Sequence, residues 1–226
     1  TNYKGLKDIT EFKDLNEKNI VEDNIFKNKK YYLDKVNLIS ENREDHMLIL
    51  EKYKASDILD PDTVVIYSDA SRLDDKVNAG YGITILEKGT DKISYKIKGK
   101  IDNNKSYISS NNSELHGISQ TIKFINNNKE TIFKNIKKIE IRCDNLSIIQ
   151  HFSGDNIQNK SNFKKVDELI KNNEIEISFK WVRGHAEDTI NIITDSLARE
   201  GVYLKDYNEV VEKNEDIKIK NKVRLN

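Results

Sequence analysis

Four carboxylates in this sequence stand where they can act together. Asp69 follows the β-branched run Val64-Val-Ile-Tyr-Ser68, where a strand is expected to run out. Asp144 follows a second apolar run, Ile139 to Cys143. Glu114 opens a stretch of helical periodicity, and Asp195 lies between Ile192/Ile193 and Leu197/Ala198. Taken singly, Asp69 or Asp144 is more often a turn former or a helix cap. Brought together, three or four carboxylates repel one another and raise one another's proton affinity, which a bound divalent cation relieves. An all-oxygen donor set suits magnesium or manganese rather than zinc. Two such ions about 4 Å apart can activate a water and stabilise the leaving oxygen of a phosphodiester.

The elements that must position these groups are legible from residue 61 onward. Thr63–Ser68, Ala79–Leu86 and Lys92–Lys98 read as three short antiparallel strands, the last alternating strictly. Gly80 and Gly82 allow a tight approach or a bulge in the second strand, and Glu87-Lys-Gly-Thr90 is a hairpin turn. Leu115, Ile118, Ile122 and Ile125 mark a helix, with Asn and Ser residues available to cap it. Ile136–Cys143 is a fourth strand, followed by a short helix over 146–152. Phe163, Val166, Leu169 and Ile170 mark another helix, capped by Ser161 or Asn162. Ile175–Val182 is a fifth strand, and a last helix spans about Asp188 to Glu200, where Gly201 is expected to stop it. The order β-β-β-α-β-α-α-β-α implies parallel pairing for the later strands. The expected fold class is α/β, with a five-stranded mixed sheet flanked by helices. Ligands of such sheets gather outside the carboxyl ends of the strands, where Asp69 and Asp144 lie.

Asp60-Pro-Asp62 holds the only proline and is the best boundary. It separates an N-terminal module (1–60) from a catalytic domain (61–205) and a charged C-terminal tail (206–226). Within the module, Lys30–Ile39 and His46–Tyr53 read either as a hairpin or, for 44–54, as a helix. The module is either a docked appendage or a unit with its own nucleic-acid or protein partner. Its Lys27, Lys29, Lys30, Tyr31 and Tyr32 have the basic and aromatic character that holds strands by stacking. Residues 206–226 read as a short edge strand or helix, or as a tail without order.

Lysine plus arginine and aspartate plus glutamate each total 38, a formal net charge of zero. That argues against broad non-specific binding to nucleic acid, which wants a basic face, and leaves room for a local patch. A single cysteine, Cys143, excludes an internal disulfide and a cysteine-rich zinc site. No apolar run approaches a membrane span and no secretory leader is visible. Thr1 in place of methionine points to a cropped or processed chain. The expectation is a cytoplasmic, reducing setting with no membrane partner.

Tyr67-Ser-Asp-Ala-Ser71, Asn111-Asn-Ser-Glu-Leu115, Ile141-Arg-Cys-Asp144, Trp181-Val-Arg-Gly-His185 and Asn191-Ile-Ile-Thr-Asp-Ser-Leu-Ala198 occur in that order. Together they resemble the type 1 ribonuclease H family over residues 62 to about 200. The resemblance implies that Asp69, Glu114, Asp144 and Asp195 bind metal, most simply two magnesium or manganese ions. It implies that His185 is the mobile histidine that helps the leaving group or product departure. It implies that Ser71, Ser110, Asn111, Asn112 and Asn191 touch substrate backbone or orient the site. The implied reaction cuts the RNA strand of an RNA–DNA hybrid, leaving a 3′ hydroxyl and a 5′ phosphate, with strands told apart by 2′-hydroxyls and groove shape.

Four positions depart from the family pattern. Ala70 replaces a glycine and is tolerable only if its backbone stays out of left-handed space. Ser110 stands for Asn, Leu146 for a hydrogen-bonding Gln, and Ile192 for an acidic residue. The basic helix and loop that some members insert is reduced to Ser153–Lys160, with one lysine. Grip must come from elsewhere, such as Lys123, Lys129, Lys134, Lys137, Lys138, Lys164, Lys165 and Lys171, or from residues 1–60. Two further readings stay open: a nuclease of this fold acting on duplex RNA or structured nucleic acid, and a non-catalytic binding or structural subunit. The second of these should have lost a carboxylate, and the chain keeps all four.

Overall fold

The computed structural model describes residues 50–104, 106–158, 160–183 and 188–214. The readings made for residues 1–49, for His185 and for the last twelve residues lie outside these. Leu50–Tyr53 is helical, which favours the helix reading of 44–54 over the hairpin for those four residues.

Six strands form one sheet in the order β5-β4-β1-β2-β3-β6. They are β1 (Thr63–Arg72), β2 (Ala79–Leu86), β3 (Ile93–Lys100), β4 (Lys138–Cys143), β5 (Glu176–Trp181) and β6 (Val210–Lys213). The first three pair antiparallel, and β4 joins β1, then β5 joins β4, in parallel. The helices are α1 (Ser110–Asn127), α2 (Leu146–Phe152), α3 (Ser161–Lys171) and α4 (Thr189–Val202).

The sheet therefore exceeds the five strands expected. Val210–Lys213 adds to the open edge of β3, satisfying backbone groups that would otherwise face water. The segment is pinned by Tyr81, whose hydroxyl donates to Glu209 at 2.7 Å, and by Lys98, which pairs with Glu200 and Glu212. Four exposed residues carry no burial pattern for a sequence reading to detect.

Two layers cover the sheet. On one face Ile66, Ile83, Ile85, Ile139 and Ile141 pack against Leu115, Ile118, Ile122 and Ile125 of α1 and against Phe163 and Val166 of α3. On the other face α4 lies over β1, β2 and β3. This is where the β2 glycines act. A Cβ on Gly80 or Gly82 would run into the α4 backbone at Val202, Ala198 and Thr194. They serve close approach of a helix, with no bulge at either position.

Three local expectations change. β1 does not end at Ser68: it continues to Arg72, because β2 pairs with it through Arg72↔Ala79. What ends near Asp69 is its other neighbour, since parallel pairing with β4 stops at Tyr67↔Arg142. Gly201 does not stop α4. It lies inside the helix, where an added Cβ would stand 2.5 Å from the Gly99 carbonyl oxygen, and the cap falls at Tyr203. Neither Ser161 nor Asn162 caps α3; the N-cap is Lys160, without a side-chain bond.

Candidate active site

Asp69 projects from β1 on the side of the sheet where β4 has just run out, beside the end of β4 that leads into Asp144. Glu114 is brought to it by the close seat of α1. Gly117, one turn further along, sits so near β1 that an added Cβ would be 3.2 Å from the Asp69 carbonyl oxygen. Thr121 Oγ1 lies 3.1 Å from Ser68 Oγ, fixing the same contact. Ser109 caps the helix by accepting from the Asn112 N–H. Asp144 is held from behind, where its carbonyl accepts from Trp181 Nε1 at 3.1 Å and the Cys143 carbonyl accepts from the Val182 N–H.

The result is a triad. Asp69, Glu114 and Asp144 each offer a carboxylate oxygen, and these oxygens lie within 4.8 Å of one another. Asp69 is buried and the other two are half-buried. They line a cavity of about 360 Å³ with Ser71, Ser110 and Asp195. Asp195 arrives through the α4 seat: its neighbour Thr194 contacts Gly82, and Gly82 is the register partner of Asp69. Arg199, one turn on, binds Asp195 side-on, Nε to Oδ1 at 3.1 Å and NH2 to Oδ2 at 2.9 Å.

The electrostatics follow from this crowding. Burial, then the Asp144 charge, pushes the Asp69 carboxyl up to about 7, against a bond from the Ala70 N–H and the pull of Arg199. Burial, then Asp69 and Asp144, holds Glu114 well above the usual carboxylate range. Such a cluster retains protons unless a cation replaces them. The donor set is entirely oxygen and converges on one side, which fits a hard divalent ion. Ala70 lies within β1, outside the left-handed region that would exclude its methyl.

The other expected residues divide. Ser71 and Ser110 line the cavity. Asn111 and Asn112 stand in the first turn of α1, Asn111 one helical turn from Glu114, and each is tied to a neighbouring side chain. Asn145 Nδ2 donates to Asn111 Oδ1 at 2.8 Å, and Asn162 Nδ2 donates to Asn112 Oδ1 at 2.9 Å. Asn191 is buried in α4 with an Oδ1 that has no partner among the described residues. His185 lies outside the described residues. Of the lysines considered for grip, Lys129, Lys134 and Lys137 line a separate cavity near the start of β4, at the opposite end of that strand from Asp144.

Sequence reading missed Arg199, although its spacing of four from Asp195 is a readable helix ion-pair signal. It also missed a buried network behind the site. Arg142 donates to Glu140, to Tyr67 Oη at 3.1 Å and to the Ser56 carbonyl. Tyr67 donates to Asp188 Oδ2 at 2.7 Å, and Asp188 caps α4 through the Ile190 and Asn191 N–H groups. No local pattern announces that network.

The RNase H family model matches residues 61–203. Among solved structures, RNase H1 from the halophilic archaeon Halobacterium salinarum NRC-1 shares 18% identity, covering 62% of this chain and 97% of that one, with a TM-score of 0.49. LC11-RNase H1, isolated from compost, shares 17% over 62% of this chain and 96% of its own, with a TM-score of 0.50. The same protein in complex with RNA/DNA hybrid gives 15%, 62%, 96% and 0.51. At these identities the LC11 structures speak for the fold, a mixed sheet flanked by helices. Among curated proteins no sequence matches. No helix among the described residues is long and apolar enough to cross a membrane. With the family model spanning more than half of the chain, and an acidic cluster able to hold a divalent metal at its centre, this protein belongs to the RNase H family of enzymes.

Proposed function

We propose that this chain is a divalent-metal-dependent endoribonuclease that hydrolyses the RNA strand of RNA–DNA hybrids, leaving 3′-hydroxyl and 5′-phosphate ends. The observation that carries it is the meeting of Asp69, Glu114 and Asp144, from three different elements, within 4.8 Å. Family membership and a fold shared with a protein solved on RNA/DNA hybrid support the substrate.

Asp69, Glu114, Asp144 and Asp195 are the residues that hold metal, most simply two magnesium or manganese ions. Bound there, such ions activate the attacking water and offset charge on the leaving oxygen. Water adds to phosphorus, the P–O3′ bond breaks, and O3′ leaves with a proton. His185 is the group assigned to moving that proton or releasing product. Ser71, Ser110, Asn111 and Asn112 contact the strand, and Asn191 orients the first turn of α4. Arg199 holds Asp195 side-on, so that the fourth carboxylate stays aimed at the cavity it lines with the triad.

The test presents labelled hybrid, duplex RNA, single strands and duplex DNA, each with magnesium, manganese or chelator, to the protein and to Asp69→Asn. RNA cleavage only in hybrid, dependent on metal and lost in Asp69→Asn, is the expected outcome. Preference for duplex RNA would replace the substrate. Cleavage unaffected by Asp69→Asn would remove the metal site.

A further inference from the structure

Two side-chain amides in the first turn of α1 have their polarity fixed from outside the helix. The Ile148 N–H can only donate, and it donates to Asn145 Oδ1. The Asn145 amide must therefore turn its Nδ2 away, and Nδ2 donates to Asn111 Oδ1 at 2.8 Å. Ser147 Oγ, with its single proton, lies 2.9 Å from Asn145 Oδ1 and 3.3 Å from Asn111 Oδ1, and donation to either supports the same arrangement. Asn111 Oδ1 is thus engaged by the Asn145 amide. A second relay repeats the logic one residue on. The Phe163 N–H donates to Asn162 Oδ1 at 3.1 Å, and Asn162 Nδ2 donates to Asn112 Oδ1 at 2.9 Å. Nδ2 of neither Asn111 nor Asn112 has a partner among the described residues, and neither is buried without one.

Resting on the hybrid-cleaving reading, we propose that Asn145 and Asn162 are positioning residues that make Asn111 and Asn112 a donor-only surface for the RNA strand. An asparagine free to flip offers either a donor or an acceptor. With Oδ1 of each turned to its amide partner, these two turn N–H outward, so their targets are acceptors: ribose O2′ lone pairs and the base acceptors of the minor groove. Asn111 stands one helical turn from Glu114, so the nucleotide it meets adjoins the scissile phosphate. A ribose hydroxyl bound this way must send its own proton elsewhere, which Ser71 or Ser110 can accept across the cavity they line.

Asn162 allows a clean test, because it does not line the carboxylate cavity and its bond to Asn112 is exposed. Asn162→Asp keeps the oxygen that accepts from Phe163 and puts a second oxygen where Nδ2 was. Two acceptors then face each other, and the Asn112 amide turns over to present Oδ1 to the substrate. KM for hybrid should rise about tenfold with kcat little changed, the size of one lost hydrogen bond with an acceptor left facing an acceptor. Asn162→Ala, which frees Asn112 without inverting it, should raise KM less, about two- to threefold. In an Asn112→Ala background Asn162→Asp should add nothing. A full effect of Asn162→Asp in that background would overturn the proposal, since charge or misfolding and not the Asn112 amide would be acting. Hydrogen exchange read by NMR separates this from failure of the substrate reading. Even if the protein ignores hybrid, the Asn162 side-chain amide should exchange more slowly than that of Asn112, and the reverse order overturns the relay.

Discussion

Replacing Asp69 by asparagine should stabilise the metal-free protein while abolishing its activity. The carboxyl is buried beside Asp144 and ionises at about 7, against an ordinary 3.8. The sign follows from proton counting. Below pH 3.8 the group is protonated folded or unfolded and contributes no difference. Between 3.8 and about 7 the unfolded chain releases its proton and the folded one keeps it, so native stability falls as pH rises. Across that interval the loss is on the order of 4 kcal/mol, and it persists at higher pH. Asparagine keeps the oxygen that accepts from the Ala70 N–H at 2.7 Å and removes the charge. It also removes the neighbour that raises Glu114. At pH 8 in chelator, Asp69→Asn should therefore melt about 10 °C above the parent, with the gap closing toward pH 4. Saturating magnesium should raise the parent's melting temperature and leave the variant's almost unmoved. Thermal unfolding followed by circular dichroism from pH 4 to 9, with and without metal, measures all of this. Equal melting temperatures at pH 8 in chelator would refute the account, because burial and repulsion would then not be acting on Asp69.

Other perturbations test the supports of the site. Arg199→Met removes a cation that draws the Asp69 carboxyl down, so the acidic limb of the pH–rate profile should move to higher pH while fold stability, read in urea, changes by under about 1 kcal/mol. Gly82→Ala places a methyl against the Thr194 and Ala198 backbone. It should cost roughly 2–3 kcal/mol by overpacking, and weaken metal binding by pushing Asp195 away from Asp69, as calorimetric titration with magnesium would measure. Tyr67→Phe leaves Asp188 and Arg142 each short of a buried partner and should cost about 2 kcal/mol in denaturant unfolding.

Two of the carboxylates were legible because each sits at a boundary where periodicity changes. Asp144 ends an apolar strand and Glu114 begins an apolar helical stripe, so pattern alone places both near one edge of a sheet. The reading of Asp69 as a strand end placed it in the cluster for the wrong local reason. Pattern reports where one face stops being apolar, and β1 stays paired with β2 for five residues, Ser68 to Arg72, after β4 has left it. Gly201 misled in a related way. A glycine near a helix end has two explanations, backbone freedom and close approach, and only the opposing Gly99 carbonyl decides between them. β6 was left among alternatives because its four residues are exposed and its evidence lies wholly in the partner strand. The amide relays were invisible for a deeper reason. Asn112 and Asn162 are fifty residues apart, and the polarity of one is set by a backbone N–H next to the other.

A cluster of three repelling carboxylates needs a scaffold that cannot relax away from it. Each member is anchored through its backbone: Asp69 by strand pairing, Glu114 by the Gly117 contact, and Asp144 by the bond from Trp181. The fourth comes on a helix whose first turn is fastened to both central strands. Asp188 caps α4 and accepts from Tyr67, two residues before Asp69. Tyr67 accepts from Arg142, two residues before Asp144. Burial pushes the Tyr67 hydroxyl up to about 12, so it remains a donor throughout the working range. The strands that carry two of the carboxylates thus fix the cap of the helix that carries another. Loosening that tie should therefore separate Asp195 from the triad before it disturbs the triad itself.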